Sequence, residues 1–202
     1  APDWCVLLDS NAVSEEQFYF LKEHAWVPTK FLISTTAFPS TVKIIKEHSK
    51  GHPNQFYMFN PTVGLDGNMD IATVWKWMNG CPEMPHGGNV GTMAFMFARD
   101  LGYEVIGLLG YDLCEELDPK WTLEQAKERE YLYFPEINKV IAIPFHFLAY
   151  SQCLANTALM WHGGDPKSPR KAVNLSESPL MRHINVFKQM KVKEYVEWSC
   201  RI

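Results

Sequence analysis

The sequence has no C-x-x-C pair, no H-E-x-x-H, no Walker-type phosphate loop and no G-x-S-x-G elbow. Its cysteines, Cys5, Cys81, Cys114, Cys153 and Cys200, are odd in number and widely scattered. That pattern argues against a disulfide framework and against a cysteine zinc site, and a reducing, cytoplasmic compartment is expected. An excess of charge of either sign is also lacking: 19 Lys plus Arg against 23 Asp plus Glu give a formal net charge of −4. Bulk nucleic-acid binding runs on phosphate neutralisation, so this balance argues against it. Charge is missing altogether from Val140 to Gly164, a stretch long enough to raise the question of a membrane span. Pro144, His146, Gln152, Asn156 and His162 interrupt it, and each polar group would need a partner in lipid. A buried helix of a soluble protein is expected instead, and no secretory signal pattern opens the sequence.

What remains is suited to a folded core. Hydrophobic residues make up 47% of the 202 and aromatics 13%, which excludes a disordered tail. The length fits one domain, residues 1–202, without internal repeats or a dividing linker. Apolar runs at Trp4–Leu8, Phe31–Ile33, Gln55–Phe59, Glu104–Leu109, Lys139–Ile143 and Lys171–Val173 read as strands. Between the first two, Ser14-Glu15-Glu16-Gln17 forms a capping box ahead of Phe18, Leu21 and Ala25 at helical spacing. Pro39 suits the first turn of a helix carrying Val42 and Ile45. Val90–Leu101 is apolar almost all round, which predicts a helix buried on several sides. Thr122–Gln125 is a second capping box and predicts a charged helix to about Tyr131. Leu148–Trp161 is the uncharged helix, and Ser178-Pro179 caps an amphipathic helix with Leu180, Ile184 and Phe187. Val192–Trp198 fits strand or helix. Asn60–Gly88, rich in proline and glycine, reads as an irregular functional loop with a short helix around Ile71–Met78. This order predicts an α/β fold with a mostly parallel sheet and right-handed crossovers.

In open α/β sheets, ligands bind beyond the carboxyl ends of the strands. Those ends carry Asp9-Ser10-Asn11, Ser34-Thr35-Thr36, Asn60, Gly110-Tyr111-Asp112 and Asn174-Leu175-Ser176-Glu177. Any one of these fits a plain helix cap or turn; their recurrence at one edge points to a site. His86-Gly87-Gly88-Asn89-Val90-Gly91-Thr92 enters the most buried helix. Glycines there admit close backbone approach, and free N–H groups favour phosphate or carboxylate. The spacing is not G-x-G-x-x-G, and glycines serve helix–sheet packing as well. His86, His146 and His162 fall in loops or at helix edges, where an imidazole can be a general base or a hydrogen-bonded structural group. His24 and His48 fit surface positions near helix C-termini, and no structural metal is expected. The basic loop Lys167–Lys171 fits a solvated turn or a phosphate contact.

Two segments taken together resemble a known family. Asn89-Val90-Gly91-Thr92-Met93-Ala94, followed by Leu101-Gly102-Tyr103 and by Ile106-Gly107-Leu108-Leu109-Gly110-Tyr111-Asp112-Leu113, resembles the 6-hydroxymethylpterin diphosphokinase-like family. A domain of that family also forms the centre of motility-associated glycosyltransferases, and the related bacterial sialyltransferases carry a similar helix, Leu-Gly-Tyr and Gly-x-Asp strand end. The opening Pro2-Asp3-Trp4-Cys5-Val6-Leu7-Leu8-Asp9-Ser10-Asn11 and the late Asn174-Leu175-Ser176-Glu177 are similar to the family's corresponding strand ends. The matches fall in the family's order and cover most of the chain.

The resemblance implies a three-layer Rossmann-like domain that binds a nucleotide and transfers a group. In the sialyltransferase branch the donor is a CMP-sugar; in the pterin branch ATP donates diphosphate, normally with Mg2+. Glycosyl transfer is the favoured expectation. By position, Asn89, Val90 and Gly91 would line the donor pocket, and Asp9, Ser10 and Asn11 would touch nucleotide or acceptor. Asp112 would shape the pocket floor, and Asn174 and Ser176 would lie near the nucleotide. His146 is the closest match to the sialyltransferase base, with His162 the alternative. One departure bears on activity: the family begins with a strand and a Gly-Pro-Ser-Leu-like phosphate loop, and this sequence opens where the family's second half-unit would start. A domain incomplete at its N-terminus is therefore expected. Its open strand edge would invite homo-oligomerisation, and a non-catalytic remnant or interaction module is the alternative to an enzyme.

Overall fold

The computed structural model describes residues 3–8, 18, 29–50, 55–62, 80–85, 87–165 and 167–199. The capping box at Ser14, the helix at Ile71–Met78, and Asp9, Ser10, Asn11, His52 and His86 lie outside the described residues. The chain divides into two compact units, Ala1–Ala94 and Phe95–Ile202.

In the first unit, β1 (Trp4–Leu7), β2 (Lys30–Ser34), β3 (Phe56–Thr62) and β4 (Glu83–Pro85) form a parallel sheet in sequential order. Between β2 and β3 runs helix α1 (Pro39–His48), opened by Pro39, whose missing N–H costs nothing in a first turn. Its inner face, Thr41, Ile44 and Ile45, is buried, with Lys43, Lys46 and Glu47 outward. Ile44 and Ile45 join Leu7, Phe18, Phe31, Ile33 and Ala37 in one apolar cluster. The strand β4 interrupts the expected irregular stretch, pairing Asn60 with Glu83 through Thr62 with Pro85.

Helix α2 (Val90–Asp100) starts in the first unit and continues into the second. The second unit then contains β5 (Val105–Leu108), β6 (Glu115–Glu116), α3 (Leu123–Lys127), β7 (Arg129–Phe134), β8 (Lys139–Pro144), α4 (Phe145–His162), β9 (Lys171–Asn174), α5 (Pro179–His183), β10 (Lys188–Gln189) and α6 (Val192–Ser199). Strands β10, β9 and β5 make a parallel sheet in that order. Strands β6, β8 and β7 make a separate antiparallel sheet. Phe95, Ile106, Leu108, Leu154, Trp161, Ala172, Met181 and Phe187 share the main core, where Phe95 meets Trp161 edge-on at 5.5 Å. A smaller cluster of Phe134, Ile141, Ile143 and Leu180 backs the antiparallel sheet.

The uncharged helix α4 is not enclosed all round. Ser151, Leu154, Thr157, Ala158 and Trp161 form its buried stripe, while Gln152, Asn156, Leu159 and Met160 are exposed. Ser151 and Thr157 hydroxyls donate back to the Leu148 and Cys153 carbonyls, which lets both sit in a buried stripe without an orphaned group. Gly163, in the left-handed region at φ 66°, ends the helix. Among the described residues no helix is long and apolar enough to cross a membrane.

The predicted charged helix to Tyr131 is half as expected. Its capping box forms, with the Thr122 hydroxyl accepting from Gln125 N–H and the Gln125 side chain accepting from Thr122 N–H. The helix stops at Lys127, however, and Arg129–Phe134 is a strand. The alternation Tyr131, Leu132, Tyr133, Phe134 suits a pleated surface, and pairing with β8 outweighs the helical start. A tight turn at Pro135–Asn138 closes the hairpin. The last amphipathic helix is likewise shorter than expected, ending at His183, with Phe187 reaching the core from a turn.

Candidate functional site

The carboxyl ends of β5 and β9 meet through side chains rather than strand pairing alone. Asn174, the last residue of β9, is 1% exposed. Its carbonyl oxygen accepts from Ser176 N–H at 3.0 Å, and its amide donates to the Ser176 carbonyl at 3.1 Å and to Gln189 Oε1 at 2.7 Å. Gln189 lies opposite Asn174 in the register of β10, and its own amide donates to the Met181 and Phe187 carbonyls. Ser176 Oγ accepts from Tyr111 N–H at 2.8 Å, which ties the β9 loop to the Gly110-Tyr111-Asp112 end of β5. Ser178 Oγ donates to the Asp112 carbonyl and accepts from Met181 N–H at the start of α5. Asn174, Ser176 and Ser178 therefore form one hydrogen-bonded seam.

The seam borders an open cleft of about 470 Å³. Leu175, Ser176, Glu177 and Gln189 line it on one side, with Arg182 of α5 and Lys191 at the foot of α6 adding cationic groups. The Ser176 hydroxyl takes the Tyr111 N–H on its oxygen and keeps its own proton to donate. Glu194, also on the cleft wall, accepts from Lys191 N–H and so caps α6. Asp112 is exposed and is not part of the cleft lining.

The remaining expected residues fall elsewhere. Asn89 and Gly91 belong to the first unit with Val90. The Asn89 carbonyl oxygen accepts from Thr92 N–H and its amide donates to Thr92 Oγ1, both at 2.9 Å, so this side chain caps α2. In that unit Asn60 closes a similar strand-end cluster, accepting from Thr35 Oγ1 at 2.8 Å and donating to the Cys81 carbonyl at 3.1 Å. His146 sits exposed in the first turn of α4, its ring against Phe147 and Tyr150. His162 ends α4, accepts from Gly164 N–H, and lines a different groove with Asp165, Arg170, Lys171 and Lys188. That groove lies where β9 begins, so His162 and Ser176 occupy different sites.

Arg182, Gln189 and Lys191 were not legible as site residues. They are brought to the cleft by a short helix and a two-residue strand, neither of which carries a motif. One spacing was overlooked: His48 and His52 stand four apart. Helix α1 ends at His48, and His52 lies outside the described residues. Among the described residues no group of three or more His, Cys, Asp or Glu side chains could hold a metal ion. Cys5, Cys81, Cys114 and Cys153 are free thiols, and burial pushes the Cys5 thiol up.

Burial also pushes the Tyr111 phenol up to about 12. An unfolded tyrosine titrates near 10, so the native state holds this proton longer. The associated stability is intact below about 10 and is lost as pH rises towards 12. Ultraviolet titration of tyrosinate should show one late-ionising group that Tyr111→Phe removes. An unchanged titration in that variant would assign the late step to another tyrosine.

Comparison with protein-family models, curated proteins and solved structures found no match. Fold and site define an α/β protein with parallel strands and an open cleft of mixed polar and apolar lining at one carboxyl edge.

Proposed function

We propose that the chain is a nucleotide-dependent transferase of the kind its sequence resembles, with a sugar nucleotide such as a CMP-sugar as donor. The observation that carries the reading is the cleft beside Ser176, where the resemblance expects the nucleotide and where Arg182 and Lys191 supply positive charge for phosphate. In this reading Asn174 and Gln189 hold the cleft edge, while the Ser176 hydroxyl donates to a ribose or phosphate oxygen. The acceptor hydroxyl loses its proton as its oxygen bonds to the anomeric carbon and CMP departs with the glycosidic electron pair; the resemblance gives the base role to His146, which lies outside the cleft lining. A Rossmann-like fold accompanies the reading; parallel strands, present in both units, support it.

Glu177 and Glu194 stand in the same cleft and are carboxylates of the kind Mg2+ takes, which supports ATP-dependent diphosphate transfer as a second reading. The test is the melting temperature with millimolar CMP, CDP, or ATP with Mg2+. A ligand at about a hundred times its Kd adds about 2.7 kcal/mol, a rise of roughly 5–10 °C for a chain of this size. Arg182→Ala should remove most of that rise. A response to CMP alone supports glycosyl transfer, and a response to ATP with Mg2+ alone supports the diphosphate reading. No response to any of them overturns nucleotide binding and leaves the non-catalytic module.

A further inference from the structure

Among the described residues, strand β7 has β8 on one side only. Which of its backbone groups face away follows from the register. Phe145 N–H donates to the Glu128 carbonyl at 3.1 Å, just beyond the end of the ladder. The next pair is Arg129 with Pro144, and proline has no N–H to give. Inward and outward pairs alternate along an antiparallel ladder. Glu130, Leu132 and Phe134 therefore exchange hydrogen bonds with β8, and Arg129, Tyr131 and Tyr133 turn their N–H and C=O groups outward. Among the described residues nothing bonds to those outward groups.

Natural edges are normally blunted by lysine, proline, a bulge or an inward charge. The edge Arg129-Glu130-Tyr131-Leu132-Tyr133-Phe134 has no lysine, proline or bulge, and its charges are Arg129, 14% exposed, and the exposed Glu130. Its cation is already engaged: Arg129 pairs with Glu115 at 2.9 Å and stacks on the Trp121 ring at 4.3 Å. Tyr131, Leu132 and Tyr133 are 42%, 42% and 59% exposed, a large apolar outlay for a strand with one neighbour.

We propose that β7 is the contact through which two copies of this chain pair, antiparallel, about a twofold axis at Tyr131. The outward groups themselves select that register. Tyr131 faces its own copy, and Arg129 faces Tyr133 of the partner subunit, so every outward group finds a mate. The same register sets Glu130 opposite Leu132 of the partner subunit, so no like charges meet. The cation–π stacking of Arg129 can extend to the partner's Tyr133 ring. The two antiparallel sheets become one continuous sheet. The pairing closes on itself, because the other edge is the two-residue strand β6, too short to propagate a fibre.

The inference does not depend on nucleotide binding, and its test is run without nucleotide. Sedimentation of the full chain over a concentration series should show a reversible monomer–dimer equilibrium. Tyr131→Lys sets two ammonium groups across the axis and should weaken association at least about tenfold, equivalent to about 1.4 kcal/mol. Leu132→Lys is the register control. It sets a lysine opposite Glu130 of the partner subunit and should leave association intact, whereas a twofold axis at Leu132 would make it repulsive. Hydrogen exchange gives a reading free of variants: the Arg129, Tyr131 and Tyr133 amides should slow as concentration rises. A monomer at every concentration, equal dimerisation of the Tyr131→Lys chain, or exchange at these amides that ignores concentration would each overturn the proposal.

Discussion

Asn174→Leu is expected to lower the melting midpoint by roughly 10 °C. Leucine keeps the branched four-atom shape of the side chain but is bulkier, so crowding adds to the loss of hydrogen bonds. The Ser176 N–H, the Ser176 carbonyl and Gln189 Oε1 would all lose their partner at a position only 1% exposed. Leaving a buried polar group unsatisfied costs about 1–3 kcal/mol each, and relaxation of the surface-facing Gln189 reduces the total to about 3 kcal/mol. Asn174→Asp separates the two halves of the network. It keeps the acceptor for Ser176 N–H, loses both donors, and turns a carboxylate towards two oxygens. Both variants should melt early, and a Leu variant that melts with the parent would show that the seam carries little stability.

Gly107→Val should displace the Tyr195 ring of the C-terminal helix and the Leu175 side chain. A Cβ at Gly107 would stand 2.9 Å from both Leu175 Cδ1 and Tyr195 Cζ, closer than real side-chain carbons approach. The tyrosine comes from α6, so the bare backbone of β5 is the surface on which that helix rests. Overpacking of this kind costs about 1–3 kcal/mol. Because Val192 and Glu194 of the same helix line the cleft, any nucleotide-induced rise in melting temperature should shrink with it. Tyr195→Ala clears the space, so the double variant should be more stable than the two single losses summed predict, and the difference measures the coupling. Strict additivity would show that Tyr195 does not rest on Gly107 in solution.

The parts of the fold that the sequence announced were those with a strong local pattern. Lys30–Ser34, Val105–Leu108 and Lys171–Asn174 are short apolar runs, the first and last closed by a polar residue, and each is a parallel strand. Pro39 and Thr122 mark helix starts through local chemistry that needs no tertiary partner. Arg129–Phe134 follows a capping box that is a true helix signal, whereas the strand depends on pairing with β8, whose partners lie five to fifteen residues further along the chain. Asn174 and Ser176 could be singled out as strand-end residues, yet their side chains turn to one another and to Gln189, which distance in sequence concealed. Asn89, by contrast, turns to Thr92 three residues on and caps α2, a local role. Arg182 and Lys191 carried no signal, since an exposed cation is chemically ordinary until a neighbouring strand places it over a cleft.

The absence of side-chain charge along α4 has an electrical consequence. Most helices carry ions that blur the field of their own peptide groups; this one leaves it bare from Phe145 to His162. Its ends act as about half a positive and half a negative elementary charge. The negative end is met by the Arg170 guanidinium, which donates to the Trp161 carbonyl at 3.0 Å. The positive end, at Phe145 and His146, has no acidic residue in its first turn. The helix thus resembles a battery whose negative terminal meets a full charge and whose positive terminal meets only the dipole of the Glu128 carbonyl, to which Phe145 N–H donates.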